Sequence, residues 1–225
     1  MIVIHMQKLA TIFVNILDLI LPRQCLGCNT SHTLLCTKCL AKVPSAPPSE
    51  HSFIRAVFDY RHPSIKRAVW RFKYENARGF ADVFAEKLYE EILGELGDNL
   101  HTSPNETFLL IPIPLYKKRL HERGYNQSEL LAKAIIKYDQ AHLFEFAPNF
   151  LTRTRATTPQ ARSEKRAARL ANLRGAFAST DPTRIRGRVV ILIDDVTTTG
   201  ATLLEAKRAL APAKPRKVLA FTVAH

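Results

Sequence analysis

The chain has 225 residues, 46% hydrophobic and 24% charged, with only 8 glycines and 13 prolines. That composition excludes a disordered or fibrous chain and is long enough to bury one medium core plus a small appendage; no stretch of eighteen residues lacks polar groups, so a conventional membrane span is not expected. Lys and Arg exceed Asp and Glu by 13, which favours phosphate-rich partners such as nucleic acid, phosphorylated small molecules or an anionic membrane surface. Eight of those thirteen net charges fall in residues 111–180, so a polyanion-binding surface is sought there.

Residues 1–22 read as an apolar helix in which Lys8, Thr11, Asn15 and Asp18 recur at three- and four-residue spacing and leave one narrow polar stripe. Asn15 and Asp18 interrupt the apolar run and no small-x-small cleavage site follows before Pro22, so we expect a retained helix rather than a secretory signal. It is expected either to pack on the body of the protein or to insert shallowly into a membrane surface or partner groove.

All four cysteines lie within residues 23–43 as Cys25-x-x-Cys28 and Cys36-x-x-Cys39. A pair two residues apart presents both thiolates across a tight turn, and two such pairs complete a tetrahedral sphere suited to zinc. The competing readings are two disulfides or a redox-active pair, which the absence of a secretory signal disfavours. His32 is expected to be a bystander, Gly27 to supply the turn, and the closed site to be structural.

Residues 44–50, with Pro44, Pro47 and Pro48, read as a linker, and residues 51–225 as the main domain. Within it the pattern predicts a strand Phe53–Tyr60, a helix Ile65–Tyr74 carrying the single tryptophan Trp70, an amphipathic helix Arg78–Leu96, and an apolar strand Phe108–Ile113. Helices follow over Tyr125–Tyr138 and Glu164–Asn172, then a strand Val189–Ile193, a helix Thr202–Leu210 and a strand Lys217–Val223. This alternation predicts an α/β fold with a parallel sheet covered by helices on both faces, whose ligands sit beyond the carboxyl ends of the strands.

The segment Val189–Thr202 ends a buried strand in Asp194 and Asp195 and passes through Val196-Thr197-Thr198-Thr199-Gly200-Ala201-Thr202 into a helix. Carboxylates at a strand end accept hydrogen bonds from a vicinal diol or approach a metal. Turn amides, the hydroxyls of Thr198, Thr199 and Thr202, and the helix dipole can hold a phosphate, with Gly200 permitting close backbone approach. Neither Walker spacing nor G-x-G-x-x-G is present.

This segment resembles the phosphoribosyl diphosphate (PRPP) motif of type I phosphoribosyltransferases. The resemblance implies that Asp194 and Asp195 contact the ribose hydroxyls, and that Thr197, Thr198, Thr199, Gly200, Ala201 and Thr202 bind the 5-phosphate. Ile111-Pro112-Ile113-Pro114-Leu115, Lys117, Lys118, Arg119 and Arg123-Gly124-Tyr125-Asn126-Gln127 resemble the pyrophosphate-loop segment of the ComF/GntX competence family. Arg155-Ala156-Thr157-Thr158-Pro159-Gln160, the Arg166, Arg169, Asn172, Phe177 series and the leading four-cysteine finger agree with that family.

The resemblance implies a type I phosphoribosyltransferase-like sheet with an N-terminal zinc finger, magnesium bound with PRPP, and Lys117, Lys118 and Arg123 around the diphosphate. It also implies a role in natural transformation, assisting incoming single-stranded DNA in the cytoplasm, at or near the inner membrane face and with the DNA-uptake machinery. Arg155, Arg162, Arg166 and Arg169 are the expected DNA contacts, with Tyr125, Phe144, Phe146 and Phe150 either lining a groove beside them or lying in the core. The alternative is a phosphoribosyltransferase enzyme with an unidentified acceptor and no DNA role. Thr198 stands where several salvage enzymes carry an acid, and a threonine hydroxyl is a poor general base at neutral pH, so purine salvage is not expected.

Overall fold

A computed structural model describes residues 23–97, 107–155 and 173–225. The expected helix over 1–22, the helix Glu164–Asn172, and Arg162, Arg166 and Arg169 lie outside the described residues. Contacts divide the described chain between Val43 and Pro44 into two compact units. In the first, α1 (Thr37–Leu40) follows a pair of tight turns.

The second unit is built on five parallel strands: β1 (Ile54–Phe58), β2 (Phe108–Pro112), β3 (Phe144–Phe146), β6 (Val189–Val196) and β7 (Lys217–Ala224), in the order β1-β7-β6-β2-β3. The apolar runs of β2, β6 and β7 are buried throughout their centres, as a sheet covered on both sides requires. Alternation sorts them between two cores. Leu109, Ile111, Val190, Leu192, Val218 and Ala220 face one cluster with Leu203, Ala206 and Leu210 of α7 (Ala201–Leu210). The intervening residues Leu110, Ile191, Leu219 and Phe221 are likewise buried, on the opposite face of the pleat. Helices α3 (Phe80–Leu96) and α5 (Gln127–Ile136) pack against each other and against strands of the sheet.

A separate antiparallel pair, β4 (Leu151–Arg153) and β5 (Phe177–Ser179), closes over the α7 side through Leu151 and Phe177. This pair and the short helix α6 (Pro182–Ile185) lie in a stretch where three-residue strands are too short to display a period. Helix α2 (Pro63–Tyr74) starts two residues earlier than the apolar pattern indicates, because Pro63 takes the first helical turn, where a missing N–H costs nothing. The proline-rich residues after Val43 are pinned rather than loose. The Ala46 amide donates to Val57 O (3.1 Å), the Asp59 amide to Pro44 O (3.0 Å), and Ser45 bridges Phe58, so this segment shields the outer edge of β1.

Candidate functional site

The strand order places β2 and β6 side by side, yet β2 continues outward to β3 and β6 to β7. The connections that leave their carboxyl ends therefore run in opposite directions, the switch point at which open α/β sheets receive ligands. The Ile113 amide makes the last bond between them, to Ile193 O at 2.9 Å. Asp194 and Asp195 come immediately after it on β6, which stays registered with β7 through Asp194–Thr222.

Asp194 is half-buried and Asp195 buried. One oxygen of Asp194, Oδ1, accepts from Ser128 Oγ and from the Asp195 amide, both at 2.9 Å. Lys73 Nζ, on the last turn of α2, pairs with Asp195 Oδ1 at 2.9 Å. Burial, then the neighbouring Asp195 charge, push the Asp194 carboxyl up to about 7, against the Asp195 amide, Lys73 and Ser128, which hold it down. Burial disfavours the Lys73 ammonium, but Asp195 and then Asp194 outweigh it and raise its pKa, so Lys73 stays charged. Burial and the Arg119 charge lower the Arg153 pKa while Asp194 raises it, which places Arg153 of β4 within the field of the same carboxylates.

The turn after β6 is fixed at both ends. The Thr197 amide donates to Ala224 O (3.0 Å), and the His225 imidazole Nε2 lies 2.9 Å from Thr198 O with Nδ1 3.4 Å from Pro47 O. Gly200 precedes α7 in the left-handed region (φ 72°), and a Cβ there would sit 2.8 Å from His51 Cδ2 and 2.9 Å from Ile54 Cδ1. Only glycine meets both demands. Thr198 is exposed and Thr199 and Thr202 are half-buried, all three at the amino end of α7, where the helix dipole is positive.

The second motif works as a latch. Lys117–Arg123 forms helix α4, capped by Gly124 in the left-handed conformation (φ 72°); the reading of this stretch as a loop is corrected to the four residues Ile113–Tyr116. The reason is composition: seven residues without Gly or Pro sustain two turns until Gly124 ends them. Tyr125 Oη donates to Phe72 O, joined by Gln127 Nε2 at 3.4 Å. Asn126 donates to Ile113 O (3.0 Å) and accepts from the Ser128 amide (3.1 Å), so it caps α5. Helix α5 therefore begins at Gln127, two residues after the periodicity indicates. Four consecutive residues, Tyr125 to Ser128, tie the end of α2, the end of β2 and Asp194 into one corner.

Lys117 and Lys118 are exposed on α4. Arg119 and Arg123 instead line a cavity of about 450 Å³ with Lys73, Tyr74, Asn76 and Glu122. Arg123 donates to Gln127 Oε1 (2.9 Å) and stands 5.2 Å above the Tyr74 ring. Three cations against one acid make this cavity suited to an anion.

In the first unit the four cysteine sulfurs lie within 4.8 Å of one another, with Cys28 and Cys36 3.6 Å apart. All four are free thiols. Cys25 Sγ receives the Cys36 amide (3.3 Å) and the Gly27 amide (3.4 Å). Burial opposes ionisation of Cys25, but the Cys36, Gly27 and Cys28 amides outweigh it and lower its pKa to about 6. The Cys28 and Cys36 sulfurs push Cys39 up to about 12, so these thiols do not ionise together without a cation. A tetrahedral thiolate set with amides on sulfur fits zinc. The left-handed residue of the first turn is Asn29 (φ 58°), Gly27 contributing its amide, and His32 is outside the cluster.

Residues 136–225 match the family model "Phosphoribosyl transferase domain". The DNA utilization protein YhgH of Shigella flexneri is 31% identical over 86% of this chain and 78% of its own length. The chain belongs to the ComF/GntX family. Competence protein ComFC of Bacillus subtilis is 31% identical over 75% of this chain and 62% of its own, and competence protein F of Haemophilus influenzae 32% over 63% and 59%. The parallel sheet with flanking helices and the four-cysteine cluster agree with the fold that ComF/GntX membership implies.

The sequence singled out neither Lys73 nor Ser128, whereas Arg119 stands in the pyrophosphate-loop segment already named. Ser128 follows an N-cap asparagine and is buried, a weak signal that its hydroxyl has a partner. Lys73 carries no signal at all, since one lysine in the last turn of a helix ordinarily serves the helix dipole. Arg155 is exposed and donates to Arg174 O. Tyr125, Phe144 and Phe150 are buried and Phe146 half-buried beneath Lys133, so these aromatics are core and offer no open faces for bases.

Proposed function

We propose that the protein binds magnesium-chelated PRPP in the crevice beyond β2 and β6 and assists uptake or processing of incoming single-stranded DNA on the cytoplasmic side of the membrane. The observation that carries the first half is the corner formed by Asp194, Asp195, Ser128 and Lys73 beside the Thr198–Thr202 turn. The names of the relatives, DNA utilization and competence proteins, support the second half. Among the described residues no helix is long and apolar enough to cross a membrane. Contact with its inner face and with the uptake machinery belongs to the same proposal.

Asp194 and Asp195 would accept the ribose hydroxyls, the Thr198 to Thr202 turn would hold the 5-phosphate, and Arg119, Arg123 and Lys73 would face the diphosphate. Magnesium supplies charge neutralisation on the diphosphate, and hard carboxylate oxygens suit it. If phosphoribosyl transfer occurs, the bond from the anomeric carbon to pyrophosphate breaks and one to an acceptor forms. Here the aspartates orient the sugar and Arg119, Arg123 and Lys73 stabilise the departing charge. The alternative of an enzyme with an unidentified acceptor is favoured by the cationic cavity. Radiolabelled PRPP with and without oligonucleotide separates the two: pyrophosphate release with a small acceptor alone supports the enzyme, and PRPP binding without release supports an effector role.

A further inference from the structure

Helix α2 buries Ile65, Ala68, Val69 and Phe72 and turns Lys66, Arg67, Trp70 and Tyr74 outward. Trp70, the single tryptophan of the chain, is 52% exposed and Tyr74 61%. One helical turn apart, their rings stand 5.8 Å centre to centre at 50°. Trp70 lines a cavity of about 680 Å³ with Tyr60, Lys66, Arg67, Arg71 and Glu75, and Tyr74 lines the cationic cavity on its other side. Arg71 is paired with Glu75 at 2.6 Å, which neutralises the one acid of the group, while Lys66 and Arg67 are exposed and pair with no described residue. Tyr74 then carries Arg123 on its face, and Arg123 lines the cationic cavity with Lys73, which reaches Asp195. Trp70, Tyr74 and Arg123 thus stand in succession between the exposed cations Lys66 and Arg67 and the Lys73–Asp195 pair.

An exposed tryptophan beside an exposed tyrosine costs solubility unless something covers it. A protein groove for an apolar helix would not be edged by two unpaired cations, whereas unstacked bases take aromatic faces and their phosphates take the cations. We infer that the outer face of α2, through Lys66, Arg67, Trp70 and Tyr74, is the track for single-stranded nucleic acid, and that it leads the strand toward the PRPP site. This inference rests on the DNA-handling reading given above and relocates its surface from the 155–169 arginines to α2.

The test is anisotropy of a fluorescein-labelled dT12 titrated with the full-length, zinc-loaded protein, alongside quenching of Trp70 fluorescence by unlabelled dT12. Quenching is expected, with Trp70→Ala weakening binding about tenfold and Trp70→Phe staying within about threefold, since stacking on one ring is worth a factor of this order. The pair Lys66→Gln and Arg67→Gln should lower the log–log salt slope by about 1.4, two phosphate contacts on a single strand. Each variant should keep wild-type melting and magnesium-PRPP affinity. If dT12 binds but every variant matches wild type, the inference fails and the DNA-handling reading stands. If wild type binds no dT12, that reading fails as well. If thymidine monophosphate binds as tightly as dT12, the site is for a mononucleotide and the strand track is overturned.

Discussion

Asp194 is held where its charge is unwelcome. Its pKa, raised from 3.8 to about 7 by burial and by Asp195, means that the folded state keeps a proton that the unfolded chain releases above about pH 4. Stability contributed through this group is therefore full at acid pH and declines as pH rises through the interval up to about 7, the reverse of an ordinary ion-paired carboxylate. Asp194→Asn should raise the melting temperature at pH 8 relative to wild type, by the equivalent of about 1–2 kcal/mol, and narrow the gap at pH 5. Thermal melts at the two pH values check this. Lys73→Met should do the opposite, destabilising by about 3 kcal/mol because it leaves Asp195 buried without its cation; urea unfolding measures it. Gly200→Ala combines a left-handed backbone with contacts near 2.8 Å. It should displace the turn, costing about 1–3 kcal/mol and most of the PRPP affinity, as calorimetry would record.

At the scale of elements, the thiolate turns and the latch stand on different physics. Among the described residues the finger segment presents few buried apolar side chains, Leu35 and Leu40 among them, so a metal bound by the four cysteines would carry much of its order. Cys28→Ser should drop bound zinc from about one ion per chain to none by elemental analysis, and expose the finger to protease, while the sheet unit melts unchanged. The long apolar strands β2, β6 and β7 and the helices between them were legible in the sequence because each is a run with an unmistakable period or composition. The pair β4/β5 and helix α6 were not, because elements of three or four residues are specified by what they lie against. The corner at Asp194 was half legible: the carboxylates and threonines share one local segment, whereas Ser128 is brought in from 66 residues away and Lys73 from a helix that precedes both. The latch shows the same limit. Its residues stand out in sequence, but their roles as cap, lock and tether depend on the carbonyls of Phe72 and Ile113.

For the whole molecule, eight of the 13 excess positive charges fall in residues 111–180, yet among the described residues the cationic cavity draws Lys73 from outside that stretch and the outward cations Lys66 and Arg67 belong to α2. Tyr125, Phe144 and Phe150 of the most basic stretch are buried, and the most exposed rings, Trp70 and Tyr74, belong to a helix whose segment is almost neutral overall. Linear charge counting could not find them, since a binding surface is assembled in space. Because the α2 track and the PRPP corner share Arg123 and Lys73, oligonucleotide and PRPP should influence one another's affinity by equal factors in both directions. Titrating each ligand at saturation of the other checks that reciprocity.

The central claim, a ribose-phosphate site at the carboxyl ends of β2 and β6, is tested most directly by calorimetric titration of magnesium PRPP into zinc-loaded wild type and into Asp194→Ala/Asp195→Ala. The account predicts saturable one-to-one binding by wild type and its loss in the double variant at a temperature where circular dichroism shows both proteins folded, although the variant, which leaves Lys73 without its partner, melts lower. Equal binding by both proteins, or none by wild type, would contradict it.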